Sequence, residues 1–235
     1  MSQDSLLAYL ITFFSILALV SFAFSPFFEI KSIEIQGLNV LDEDELDSLI
    51  TPYENKNILL LDSRKLDREL KAGSGYIEGV KIKKDFPDKL VIIIDEREPV
   101  AMINNNGKYI SFSSSGFIVE EGLLKKRVSV PEISGLGYSL KNNRISFSKI
   151  LGEIVQALEK LSMERRSGIT KISYDEEKNI LTADTNAYQV YFGQPEELAD
   201  KFKVLESVFR KIEEQDLNVE YVDLRILKKP VIKLK

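Results

Sequence analysis

"YIEGVKIKKDFPDKLVIIIDEREPV", from Tyr76 to Val100, decides how the first part of the chain folds. Val80 and Ile82 alternate with lysines, the two-residue period of a strand with one wet face. Pro87 and Asp88 supply a turn, and "LVIIID" (Leu90 to Asp95) returns apolar on both faces. A run of that kind belongs in the middle of a small sheet, so the second arm of this hairpin is predicted central and its lysine-bearing first arm an edge. Upstream, "FEIKSIEIQG" (Phe28 to Gly37) alternates through Ile30, Ile33 and Ile35 and stops at a glycine. In "DEDELDSLI" Asp42 is placed to cap a helix with Glu45 at the answering position, Leu46, Leu49 and Ile50 share one face, and Pro52 is the stop. A second short helix starts near Asp62 or Ser63, turns Leu66 and Leu70 inward and ends at Gly73. The order βααββ predicts a three-stranded sheet flanked by two helices.

Between Asp4 and Glu29 lie 24 residues without a charge, "SLLAYLITFFSILALVSFAFSPFF". At about 1.5 Å per helical residue they exceed a hydrocarbon core of roughly 30 Å. The expectation is one membrane-spanning helix over residues 6–25, preceded by a short cytoplasmic leader, residues 1–5. A cleaved signal peptide is the competing reading, and "SFA" (Ser21 to Ala23) resembles a cleavage site. Against it stand the missing basic n-region and an apolar run longer than the usual 7 to about 15 residues. "MSQDS" has no Lys or Arg for the positive-inside rule, so topology rests on the shortness of the leader, which leaves the bulk of the chain extracytoplasmic.

The pattern changes after the quoted hairpin, which divides the remainder into residues 27–98 and 99–235. "INNNGKYISF" contains Asn106-Gly107, the strongest short hairpin signal in the chain, and Gly116 marks another turn. "SKILGEIVQALEKLSMERRSG" reads as one amphipathic helix capped near Ser148, with Ile150, Ile154, Leu158 and Leu161 on one face and Gly168 as its stop. Three strands follow, "ITKISY", "ILTAD" and "YQVYFG". A helix is then predicted from Pro195 at its first position, with Leu198, Phe202, Leu205, Phe209 and Ile212 as a core-facing stripe. The closing stretch "YVDLRILKKPVIKLK" (Tyr221 to Lys235) alternates like a strand but carries Lys228, Lys229 and Pro230, features that proteins place on an open sheet edge. The fold class is α+β: an apolar helix, a βααββ unit, and a mixed β-sheet unit flanked by two helices.

Composition removes whole classes of function. With 32 Lys and Arg against 37 Asp and Glu, a net charge of -5 gives no broad positive field for a phosphate backbone. Without Cys or His there is no thiolate nucleophile, disulfide, ordinary zinc site or imidazole base. The sharpest enzymatic alternative is a Ser-Lys hydrolase using Ser113 to Ser115, or Ser146 and Ser148 near Lys149, but none sits in a nucleophile elbow. Asp42 to Glu45 crowd a helix N-terminus that favours them electrostatically, and "YDEEKN" lacks the ligand spacing of a calcium loop. Arg97 is expected to pair with Glu96, Glu98 or a nearby carbonyl, and Asp223 with Arg225 on one face of the closing strand. No catalytic, cofactor or metal site is expected. What remains is binding: an extended segment added to the closing strand would gain backbone hydrogen bonds there, with Leu224, Ile226 and Lys228 on one side and Arg225, Leu227 and Lys229 on the other.

The quoted hairpin, its "P-x-x-L" turn and its "E-x-x-P-V-A" exit resemble the end of the POTRA domain of the bacterial cell-division family FtsQ/DivIB. "FFEIKSIEIQGLNVLDEDEL" is similar to the opening of that domain, and "YQVYFGQPEELADKFKVLESVF" and "YVDLR" to the C-terminal helix and strand of the family. The chain departs from it at "SFSSSG" (Ser111 to Gly116), where relatives show "D-x-x-G", and at Pro230. The resemblance implies a non-catalytic, single-pass scaffold of the cytoplasmic (inner) membrane at the division septum. Its implied partners are FtsB-like and FtsL-like single-span division proteins, bound at the closing strand and the helix before it, with other divisome components meeting the POTRA-like part. The contact residues are then Leu224, Arg225, Ile226, Leu227, Lys228, Lys229, Val231, Ile232 and Lys233, with Glu197 and Lys201 on the helix. A POTRA-bearing envelope chaperone or secretion component is the alternative in the same fold class.

Overall fold

The computed structural model describes residues 3–124 and 130–235. The chain divides into two compact units, Met1–Glu96 and Arg97–Lys235.

The first unit opens with α1 (Gln3–Ala23), which among the described residues is the one helix long and apolar enough to cross a membrane: its window Leu6–Ala23 has a mean hydropathy of 2.4 and none of it is buried. A helix apolar all round and left unburied is built for a nonpolar surrounding. It does not run on to Ser25. Phe22, Phe27 and Phe28 cluster with ring centroids 5.1 to 5.4 Å apart, and a single 3-10 turn, Pro26–Phe28, leads directly into the folded part.

That part contains β1 (Ser32–Gln36), α2 (Glu43–Ile50), α3 (Ser63–Gly73), β2 (Ile77–Asp85) and β3 (Lys89–Glu96). The sheet order is β1-β3-β2, with β3 parallel to β1 and antiparallel to β2, so the apolar arm is central and the lysine-bearing arm an edge. Leu90, Ile92 and Ile94 are buried while Val91 and Ile93 are half-buried, so β3 packs fully on one face only. The capping box of Asp42 and Glu45 is formed, and Asp62 caps α3 by accepting from the N–H groups of Arg64 and Lys65. Gly37 has φ +87, and a Cβ there would lie 2.1 Å from the carbonyl oxygen of Ile94, which is why the first strand stops at a glycine.

Glu96 ends β3, and its carboxylate accepts from three successive backbone N–H groups, Asn39 at 3.0 Å, Val40 at 2.8 Å and Leu41 at 3.0 Å, fixing the loop between β1 and α2. A hydrogen bond to a charged acceptor contributes about 1.5–3 kcal/mol net of exchange with water, and three that share one half-buried carboxylate add less than their sum. Glu96→Ala is expected to destabilise this unit by about 2–3 kcal/mol, read as a lower midpoint in chemical denaturation, whereas Glu78→Ala on an exposed strand position should change it little.

The second unit contains β4 (Ala101–Asn105), β5 (Lys108–Phe112), β6 (Ile118–Leu123), β7 (Glu132–Ser134), β8 (Tyr138–Lys141), β9 (Arg144–Phe147), α4 (Lys149–Glu159), α5 (Met163–Gly168), β10 (Ile169–Asp175), β11 (Ile180–Thr185), β12 (Gln189–Gly193), α6 (Leu198–Glu214), β13 (Val219–Asp223) and β14 (Val231–Leu234). Among the described residues, nine strands form one sheet in the order β14-β13-β12-β11-β10-β7-β4-β5-β6, and β8 and β9 form a separate hairpin. Asn106 and Gly107 turn the β4–β5 hairpin with φ 54 and 84, the pair of left-handed residues such a two-residue loop requires. The core gathers Ile154, Leu158, Phe202 and Leu205 from α4 and α6 with Ile172, Val190 and Val222 from the sheet.

Three expectations are corrected here. The predicted single helix from Ser148 is two, because the Ser162 hydroxyl accepts from the N–H of Arg165 and caps a new helix, while Lys160 and Leu161 close the old one with tight turns onto Ala157 and Leu158. The next helix starts at Leu198 rather than at Pro195, since Glu197 adopts a left-handed conformation with φ 51 and redirects the chain. The closing stretch is not one strand but a hairpin of β13 and β14. Arg97 lies with its guanidinium over the Phe117 ring, 3.9 Å from the centroid, and Glu98 pairs with the buried Arg166.

Candidate functional site

Among the described residues, the sheet of the second unit ends at β14, which pairs with β13 alone. The phase of its open side follows from the backbone. Leu224 N–H donates to Tyr191 O at 2.8 Å, so even-numbered residues of β13 turn toward β12 and odd-numbered ones toward β14. Tyr221 and Asp223 face Lys233 and Val231, and Lys235 N–H donates to Asn218 O at 3.0 Å. Val231, Lys233 and Lys235 therefore pair inward, while Ile232 and Leu234 present their N–H and C=O groups outward, two rungs for an added strand.

Residues 224–230 are the connection of this hairpin, and their sequence explains the bend. The Arg225 guanidinium grips the Asp223 carboxylate, Nε at 3.0 Å from both oxygens and one terminal nitrogen at 2.6 Å, and Arg225 N–H also donates to it at 3.0 Å. These bonds hold the Asp223 carboxyl below the usual carboxylate range. Lys229 N–H then closes a turn on Ile226 O at 2.9 Å, and Pro230 leads into β14. A local side-chain pair of this kind competes with extension of the strand.

Of the expected contact residues, Leu224 is fully buried and belongs to the core. Lys201 is also removed from contact: it is 4% exposed, and its Nζ donates to Phe192 O at 2.9 Å and Gln194 O at 2.8 Å, tying α6 to the end of β12. Burial lowers its pKa from the usual lysine value. Arg225, Ile226, Leu227, Lys228 and Lys229 lie in the connecting turn rather than on a strand, with Ile226 65% exposed. Val231 and Lys233 are exposed on β14, Ile232 is half-buried against the core, and Glu197 is exposed ahead of α6. Val204, Ser207, Val208 and Lys211 of α6 line a groove of about 330 Å³ with Pro230 and Ile232, beside the open edge. Ser207 and Lys211 had no mark in the sequence beyond lying on the polar side of a helical stripe.

A second cavity, of about 220 Å³, lies where α5 meets α6 and is lined by Arg165, Tyr188, Phe209 and Glu213 among others. Arg165 and Glu213 form a two-pronged pair there, and burial pushes the Tyr188 phenol up to about 12. Four of the five serines weighed as nucleophiles have structural partners: Ser113 and Ser115 share a hydrogen bond of 3.0 Å, Ser114 donates to Glu159, and Ser148 caps α4 by accepting from Leu151 N–H at 3.4 Å.

Residues 28–97 match the family model described as POTRA domain, FtsQ-type, and residues 93–225 match the one described as Cell division protein FtsQ/DivIB, C-terminal. The cell division protein FtsQ of Syntrophotalea carbinolica is 24% identical over 220 residues, covering 89% of this chain and 75% of that protein. The cell division protein DivIB of Clostridium tetani is 22% identical over 221 residues, covering 89% of this chain and 81% of that protein. Among solved structures, the major extracytoplasmic domain of the trans isomer of DivIB from Geobacillus stearothermophilus aligns at 16% identity with a TM-score of 0.37, covering 51% of this chain and 97% of that one. Since the second family match alone takes in more than half of the residues, and the first falls on the βααββ unit, the chain belongs to the FtsQ/DivIB family of bacterial cell-division proteins.

Proposed function

We propose that this member of a division-protein family is a non-catalytic, membrane-anchored scaffold, held in the cytoplasmic membrane at the septum by α1 with both folded units on the extracytoplasmic side. Its C-terminal unit binds FtsB-like and FtsL-like single-span proteins by accepting an extended segment along β14. The observation that carries this reading is the open edge at Ile232 and Leu234 with the α6 groove beside it. Backbone pairing supplies affinity that is indifferent to sequence, and the groove between α6 and Pro230 supplies a place for alternate side chains of the guest.

Lys228, Lys229 and Lys233 are exposed around this edge, and Lys211 lines the groove, so the guest segment is acidic. Complementary charge acts on encounter more than on the final complex. Reversing Lys228, Lys229 and Lys233 to glutamate is expected to slow association with an acidic FtsB-like segment by about tenfold or more at low salt and to flatten its salt dependence, with a smaller change in dissociation. Stopped-flow association across a salt series reads this out. An unchanged on-rate and slope would show that the lysines protect the edge from unwanted pairing rather than steer a partner.

A further inference from the structure

The exit of α1 is fastened to the POTRA-type unit rather than tethered by a linker. Asn57 Nδ2 donates to Ala23 O, the carbonyl of the last residue of α1, at 2.7 Å. Asn57 also bridges Glu29, Ile30 N–H donates to Lys56 O at 2.9 Å, and Asn55 N–H returns to Ile30 O at 2.9 Å. The next residues form the 3-10 turn Ile58–Leu60, in which Ile58 is fully buried while Leu59 is 40% and Leu60 65% exposed.

Among the described residues of this unit outside α1, the exposed large apolar side chains are Phe24, Phe27, Leu59, Leu60 and Phe86. All five sit at one end. Phe24 and Phe27 are in the exit itself, and Leu59 and Leu60 are in the turn pinned to it. Phe86 lies in the turn before β3, whose Asp88 carbonyl accepts from Lys31 N–H at 2.8 Å. Exposed apolar side chains gathered at one place mark a surface that is covered in use. Three of the unit's lysines lie at this end as well. Lys84 Nζ donates to Leu61 O at 2.9 Å and reaches Leu59 O at 3.5 Å, and Lys56 lies over the Tyr53 ring, 5.0 Å from its centroid. Lys56 and Lys65 flank a cavity of about 340 Å³ behind Leu60; Asp62 beside them is engaged in capping α3, and Lys65 also makes an exposed pair with Glu69 at 3.7 Å along the helix.

We infer that this end of the unit is a bilayer contact: Phe27, Leu59 and Leu60 enter the interfacial layer of the membrane that α1 spans, Lys56 and Lys65 face phospholipid phosphates, and Lys84 holds the Leu59–Leu61 turn in place through its carbonyls. The inference rests on α1 being a membrane span. Its physical basis is continuity. A turn bonded to the carbonyl at the end of a spanning helix is held at the depth of the headgroups, where apolar side chains flanked by snorkelling lysines are at their most favourable. The POTRA-type unit is then oriented by the membrane surface rather than free to swing on its anchor.

The chain has no cysteine, so single cysteines carrying a fluorophore report position without background. The full chain would be placed in vesicles of phosphatidylethanolamine and phosphatidylglycerol containing lipids spin-labelled at the headgroup or deep in the acyl chain. Leu17→Cys tests the span, Leu60→Cys tests the contact, and Glu78→Cys, exposed near the start of β2, serves as the water control. The expected result is strong quenching of Leu17→Cys by the deep label, strong quenching of Leu60→Cys by the headgroup label, and little of Glu78→Cys by either. Adding Lys56→Glu and Lys65→Glu should weaken the quenching at position 60. If Leu17→Cys is quenched while Leu60→Cys behaves like Glu78→Cys, the contact is overturned and the anchor stands. If Leu17→Cys is not quenched, the anchor itself fails and the contact with it. Quenching at position 60 that ignores the two lysine reversals would overturn the assignment of those lysines to phosphate.

Discussion

Leu234→Pro is expected to weaken binding of a strand-adding partner by about 10- to 100-fold while leaving the fold of the free protein intact. Leu234 N–H points away from β13, so the substitution removes no bond of the hairpin, and proline is tolerated on an edge strand where its missing donor faces outward. What it removes is one of the two outward donors of β14. The partner carbonyl that would have met it is then desolvated without a bond, at a cost of about 1–3 kcal/mol. Leu234→Ala keeps the donor and shortens a side chain that is already 49% exposed, so it separates loss of the rung from loss of contact area. Calorimetric titration of both variants with an FtsB-like segment checks the prediction. Equal affinities for the proline and alanine variants would place the partner elsewhere.

Phe202→Ala is expected to destabilise the second unit by about 3–5 kcal/mol. Phe202 is 2% exposed and stacks on Phe192 of β12 with ring centroids 4.9 Å apart, so truncation leaves a cavity between α6 and the sheet in addition to the lost transfer free energy. The same contact sets where α6 lies, and α6 forms one wall of the groove beside β14. Chemical denaturation followed by circular dichroism should show the lower midpoint. Lys203→Ala, one residue on and solvent-facing, should stay within about 0.5 kcal/mol of the parent, since its pair with Asp200 is exposed on both sides.

Much of the architecture was legible because it is written locally. The two-faced apolar run of β3 forced it to the centre of its sheet, Asp42 and Glu45 formed the capping box their spacing promised, and Asn106-Gly107 made the hairpin that only left-handed residues make readily. The stripe of Leu198, Phe202, Leu205 and Phe209 was buried as its period required. The failures have local causes as well, but ones that periodicity hides. Ser162 starts a helix inside a pattern that continues through it, and Glu197 turns left-handed two residues after a proline that looked like a first helical position.

The candidate site was read less completely. The stretch from Leu224 to Lys233 alternates well enough to pass for one strand, yet the grip of Arg225 on Asp223 and the turn closed by Lys229 on Ile226 fold it back. The edge that results is shorter than expected and carries two outward residues instead of a long ladder. Lys201 had the appearance of a solvated helical lysine, and only the carbonyls at the end of β12 explain why it is inside. Glu96 collects three N–H groups 55 to 57 positions away in sequence, a relation that no local pattern could carry.

The most direct test of the scaffold reading is backbone amide exchange across β14, measured by NMR on the chain alone and with the extracytoplasmic segment of an FtsB-like partner. The predicted result is specific to phase. Lys233 and Lys235 should be protected in both states by their bonds to β13, while Ile232 and Leu234 should exchange freely alone and become protected in the complex. If the partner binds and the amides of Ile232 and Leu234 continue to exchange as before, the edge is not the docking site and strand addition is not how this protein holds its partners.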